Sequence, residues 1–291
     1  MSNQKEIRAR IASTISTQQI TKAMKLVSAT KLKKASDAII RMRPYARKLQ
    51  GIMGNLQDSV DDPSLSVYFQ NRDVKKVLFV VISSDRGLCG GFNANVIKRT
   101  RTLLEDKYPE QNKAGNVTLL CIGKKAAEYF RKTGVKIDER FIGLFQHLNA
   151  ETAFEAGDYV LDAYRRGEYD QVELIYNEFK NAATQILSNE VILPITSVAT
   201  GTHQHNDYIF EPGKIAILQD LVPRSIKTQI YRGMLDSLAS EHGARMISMD
   251  KATENAGDML RSLRLAYNQA RQAAITREIS EIVGGAAALE G

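Results

Sequence analysis

The chain has 291 residues, 43% of them hydrophobic and 25% charged, with a formal net charge of +7. That composition excludes disordered and fibrous classes and supplies one sizeable core plus a second element. No apolar run reaches the roughly 18 residues that span a bilayer, and the opening Met1 to Glu6 lacks the apolar block of a secretory signal, so a soluble chain made in the cytoplasm is expected.

The first fifty residues hold no glycine and one proline, Pro44, which predicts a helix over residues 1–57 with one break before Gly51. Fifty helical residues extend about 75 Å at the usual rise per residue. A compact globule of this chain length is about 50 Å across, so the helix must project to meet something else. Ile7, Ile11 and Ile15 share one helical face, and the stripe drifts through Ile20, Met24 and Val27 to Leu32, Ala35, Ile39 and Met42. So narrow a stripe resembles the seam of a two-helix coil, which one partner helix covers. Residues 1–57 carry twelve bases against Glu6 and Asp37, while the other 234 residues sum to −3. The partner of this helix is therefore expected to be acidic: nucleic acid, anionic lipid or an acidic protein surface.

Asp61-Asp62-Pro63-Ser64 reads as a linker into a central α/β domain over residues 74–200. Apolar runs of strand length occur at residues 77–82, 117–122, 135–137 and 172–176, and residues 191–195 close the series. Helical patterns at 91–107, 124–132 and 150–166 separate them. Strands apolar on both faces that alternate with helices predict a Rossmann-like, mostly parallel sheet covered on two sides. A C-terminal helix over 215–288 follows, with Ile226, Ile230, Met234, Leu238, Met246, Met249, Met259, Leu263 and Tyr267 at helical spacings. Gly233, Gly243 and Gly257 interrupt it, each at a propensity cost of about 1 kcal/mol. Set antiparallel, the two terminal helices bury each other's seams as a long coiled coil.

Candidate chemistry is sparse. Ser83 to Asn93 follows the first strand and opens a helix, where an open α/β sheet holds a phosphate loop. Its glycines match neither nucleotide fingerprint, and Lys98 lies too far into the helix, so a tight turn competes with a nucleotide site. Cys89 has only Asp85 nearby as a base, and Cys89 and Cys121 read as buried free thiols. His203 and His205 form an H-x-H pair without a third ligand, and His147 and His242 lack triad partners. Glu278 and Glu281, near Arg271 and Arg277, read as intrahelical ion pairs. The basic first helix has the charge of a DNA-binding arm but one aromatic, Tyr45, and bases on several faces.

Three blocks carry a resemblance. The chain opens with Lys5-Glu6-Ile7-Arg8-x-Arg10-Ile11 and then Gln19-Ile20-Thr21-Lys22-Ala23-Met24-Lys25-Leu26-Val27-Ser28-Ala29. The first-strand turn reads Ser84-Asp85-Arg86-Gly87-Leu88-Cys89-Gly90-Gly91-Phe92-Asn93. The end reads Ala244-Arg245-Met246, then Tyr267-Asn268, Ala270-Arg271-Gln272-Ala273, Ile275-Thr276, Glu278-Ile279 and Glu281-Ile282-Val283. In order and in total length these resemble the gamma subunit of F-type ATP synthase.

The resemblance implies an antiparallel coiled coil with an α/β foot. It implies a single-copy, non-catalytic rotor shaft inside a ring of alpha and beta subunits, its foot on the c-ring beside epsilon. Such a shaft couples proton or sodium flow to ATP synthesis and needs neither cofactor nor metal nor nucleic acid. It belongs at the cytoplasmic face of a bacterial inner membrane, bound there through the complex. Lys22, Met24, Lys25, Arg245, Gln272, Thr276 and Glu278 match family positions that contact beta. No insert carries the paired regulatory cysteines of chloroplast relatives. A nucleotide-binding α/β enzyme with a coiled-coil arm is the competing reading.

Overall fold

The computed structural model describes residues 4–56, 63–195 and 213–290. Two helices run through most of the terminal segments: α1 (Gln4–Leu56) and α7 (Lys214–Glu290). α1 continues through Pro44 and Gly51, and α7 starts before Pro223 and contains it. Each proline removes one donor from its helix, and neither ends it. By contacts the chain divides into two compact units, Ala29–Arg245 and Met1–Ser28 with Met246–Gly291.

The larger unit is built on a sheet of β1 (Val77–Ile82), β2 (Val117–Ile122), β3 (Lys136–Asp138), β4 (Gln171–Phe179) and β5 (Gln185–Leu193). The order is β3-β2-β1-β4-β5, with the first four parallel and β5 antiparallel to β4. β5 begins six residues before the expected run at Val191, since Gln185 to Glu190, with only Ile186 and Leu187 apolar, is placed by pairing along β4 through the hairpin.

Alternation in β1 explains the layering. Leu78, Val80 and Ile82 face a core with α2 (Pro63–Phe69), α6 (Ala150–Arg165) and the first part of α7, while Val77, Phe79 and Val81 face α3 (Phe92–Thr102) and α5 (Lys124–Phe130). Helices on both faces are what strands apolar on both faces require. Asp61 and Asp62 of the expected linker lie outside the described residues, and Pro63 and Ser64 open α2. α3 runs into a π-helical turn (Leu103–Lys107) and the short α4 (Pro109–Lys113). That turn brings Lys107 and Tyr108 onto the fully buried Glu173, whose carboxylate also accepts from Gln171 and Asn189. Four donors satisfy a charge that would otherwise be costly to bury.

α1 and α7 also meet in this unit. Ala35 and Ile39 pack on Leu235 and Ala239. Asp236 of α7 lies 3.7 Å from Arg43 of α1, and both reach Phe179 at the end of β4, where Arg43 donates to its carbonyl at 3.0 Å.

The smaller unit is a helix pair. Thr14 lies against Met259, Gln18 donates to the Thr253 carbonyl, Thr253 donates to Thr21 at 2.8 Å, and Lys25 pairs with Asp250 at 2.5 Å. Rising numbers in α1 meet falling numbers in α7, so the pair is antiparallel. Its apolar contribution is thin, chiefly Ile7, Met249, Ala256 and Leu260.

Candidate functional site

The turn after β1 stands where the strand order reverses, between β1 and β4, the place where a doubly wound sheet takes its ligand. Here the chain's own helix fills it. Cys89 and Phe92 pack against Ala244 of α7, and Arg245 donates to the carbonyls of Arg86 and Gly87 at 3.0 and 3.1 Å. The same guanidinium reaches Glu241 at 2.5 Å and His242 Nδ1 at 3.3 Å. The amides that open α5 are also occupied: Asp85 accepts from Lys124 N, Ser84 O from Lys125 N, and Ser83 Oγ from Ala126 N. The start of α5 therefore has no free amide in its first three residues to cradle a phosphate.

The titratable groups of the turn are poor catalysts as placed. Burial raises the Cys89 thiol above its ordinary value, partly offset by Ser84, so it stays protonated. Cys121 is pushed up to about 12 by burial. His242 is pushed down to about 4, first by burial and then by the charges of Arg245 and Lys31, which leaves a neutral imidazole. Burial raises Glu241 against the pull of Arg245. Leu88 adopts φ 61, a left-handed conformation rare for leucine, and its side chain is exposed. Among the described residues no group of His, Cys, Asp and Glu could hold a metal, and His203 and His205 lie outside them.

The remaining expected site residues lie along the helices. Lys22 is exposed, Met24 half-buried, and Lys25 tied to Asp250. Gln272, Thr276 and Glu278 are all exposed on α7. The helix-pair register explains why: extended at equal rise, Gln4 falls opposite about residue 270, so α7 outruns α1 beyond that point. Along this stretch Ile275, Ile279, Ile282 and Val283 are 47–71% exposed. Isoleucines at i, i+4 and i+7 on one bare face make an apolar stripe that nothing among the described residues covers. The capture of the β1 turn by Arg245 was not visible in the sequence, because the turn lies over 150 residues away and its acceptors are backbone carbonyls.

Comparison with known proteins adds to this geometry. Residues 3–289 match the model of a family described as ATP synthase. The chain is 54% identical over 293 residues to the ATP synthase gamma chain of Cytophaga hutchinsonii, with 99% of each covered. It is 50% identical over 292 residues to that of Flavobacterium johnsoniae, with 100% of each covered. Among solved structures, a chain of the Euglena gracilis mitochondrial ATP synthase OSCP/F1/c-ring matches with a TM-score of 0.69 at 22% identity, covering 98% of this chain and 94% of that one. A chain of the Tetrahymena thermophila mitochondrial ATP synthase central stalk and c-ring matches with a TM-score of 0.57 at 24% identity, covering 80% and 99%. At those identities the structural likeness is one of fold.

Proposed function

Because the chain belongs to the ATP synthase gamma-chain family, we propose that it is the central rotor shaft of an F-type ATP synthase. It turns within a ring of alternating alpha and beta subunits, and one copy serves the complex. Its foot rests on the c-ring beside epsilon, at the cytoplasmic face of a bacterial inner membrane, and the chain performs no chemistry itself. Proton or sodium flow drives the shaft, and the shaft drives ATP synthesis at beta.

The observation that carries this reading is the apolar stripe on the end of α7, which no described residue of α1 covers. A surrounding collar of partners supplies the missing cover. The physics suits the task, since one asymmetric shaft can hold three identical sites in different states only by touching each differently. Lys22, Met24, Lys25, Gln272, Thr276 and Glu278 contact beta directly, and Arg245 acts through the turn it holds. The basic outer face of α1 meets an acidic segment of beta. The nucleotide-binding alternative loses support because α7 occupies the crest of the sheet.

Affinity capture of the tagged chain from co-expression with alpha and beta tests the reading. Recovery of a complex with one copy of this chain is expected. Recovery of the chain alone, with tight ATP binding to it in equilibrium dialysis, sinks it.

A further inference from the structure

The starts of the parallel strands gather one kind of charge. Val77 N donates to Asn116 O at 3.0 Å, Asp170 N donates to Lys76 O at 2.8 Å, and Thr118 faces Lys136 in the strand register. Segments 70–76, 113–116, 131–136 and 165–170 therefore form one edge of the sheet. Together they hold nine bases and three acids. Of the acids, Asp170 accepts from the backbone amides of Lys75 and Lys76, and Glu168 is held by Arg166. Lys75, Lys76, Lys113, Lys132 and Lys136 are exposed, and none is in an ion pair among the described residues. The sum of −3 outside residues 1–57 conceals this segregation.

Helix dipoles account for part of it. Lys113 ends α4 and Lys132 follows α5, where a cation offsets the negative helix end. Lys75, Lys76 and Lys136 stand at strand starts, where no dipole favours a charge. We propose that this sheet edge is a contact surface for anionic phospholipid headgroups.

The chemistry distinguishes that occupant from others. Protein interfaces centre on buried aromatic and arginine anchors and are depleted in lysine. The apolar residues on this edge are few: Val74 and Val135 are half-buried, and its one aromatic, Tyr169, is buried. A nucleic-acid surface needs stacking aromatics or an element shaped to a groove. A membrane plane offers phosphates at any spacing, which a scatter of flexible lysines over several strand starts can meet. No helix among the described residues is long and apolar enough to cross a membrane. The inference rests on the proposed rotor role only for the presence of a membrane nearby, and vesicle binding can fail while assembly with alpha and beta stands.

The test is sedimentation of the full chain with phosphatidylglycerol-containing vesicles and with pure phosphatidylcholine vesicles. Each lysine near an anionic surface contributes about fivefold to partitioning, so Lys75→Gln, Lys76→Gln and Lys136→Gln together should lower it about a hundredfold. The control carries Lys31→Gln, Lys33→Gln and Lys34→Gln on α1, removes the same charge, and should lose far less. Absence of wild-type binding, equal losses in the two variants, or equal binding to phosphatidylcholine overturns the proposal. So does tighter binding to duplex DNA than to the anionic vesicles, abolished by the strand-start substitutions, which makes the edge a nucleic-acid surface.

Discussion

Arg245 Nη2 lies 3.1 Å from the carbonyl oxygen of Gly87, while Nη1 of the same side chain lies 2.5 Å from Glu241. One buried guanidinium thus satisfies a carboxylate and the backbone of a distant turn. Arg245→Ala should cost about 3 kcal/mol, because it leaves Glu241 buried and unpaired. Replacing both, with Arg245→Met and Glu241→Leu, should recover much of that loss. Chemical denaturation of the three variants checks it, and a double variant as weak as the single one counts against the account.

Asp236 gives the fold a pH dependence. Its carboxyl is raised from 3.8 to about 6, chiefly by burial, with Arg43 and the Phe179 amide pulling the other way and Arg232 and Glu178 contributing less. A folded-state value above the unfolded one favours the fold at low pH, and that contribution is lost as pH rises through the folded value. Asp236→Asn should therefore be more stable than wild type by about 2 kcal/mol near pH 8, with the difference shrinking toward zero near pH 4. Paired denaturation midpoints across that range are the measurement. A constant difference contradicts the assignment.

Two glycines of α7 should respond in opposite directions. A Cβ at Gly233 would lie 2.8 Å from Leu174 Cδ2, whereas one at Gly257 meets only Gln18 Nε2, at 3.3 Å. Gly233→Ala overpacks a core and should cost about 1–3 kcal/mol. Gly257→Ala displaces the end of a flexible side chain and should gain about 0.5 kcal/mol from helix propensity. Thermal unfolding of the two variants decides.

Met24→Lys tests coupling. Met24 sits half-buried between Lys22 and Lys25 on the face proposed to meet beta. A further cation there should form a charge-assisted contact that resists rotation. Proton pumping per ATP hydrolysed in vesicles should fall while hydrolysis persists, and an unchanged ratio refutes the contact.

The long helices and the two-sided strands were legible because each rests on local periodicity. Val77 to Ile82 has the length and β-branched content of a buried strand, and the residues before Gly51 keep a helical apolar stripe without a glycine to interrupt it. The first half of β5 escaped because Gln185 to Glu190 holds only two apolar residues, Ile186 and Leu187, and is fixed by its pairing along β4 and by the bonds of Asn189 and Glu190 to distant residues. The glycines of α7 read as weak points, yet Gly233 and Gly243 are where Leu174 and the Ala182 backbone approach the helix closely. The fates of Lys25 and Arg245 depended on partners more than 150 residues away, Asp250 and the β1 turn, which no local pattern records.

The junction of β4 with the terminal helices has a mechanical consequence. A helix laid on a sheet by apolar contact alone can slip under shear, since one greasy contact is soon replaced by the next. Here Ser240 holds the Asn177 carbonyl at 3.1 Å, Asp236 accepts from the Phe179 amide, and Arg43 grips the Phe179 carbonyl. Directional bonds have no equivalent a step along, so strand and helices engage like a keyed joint, and a load applied to the sheet passes into both helices without backlash.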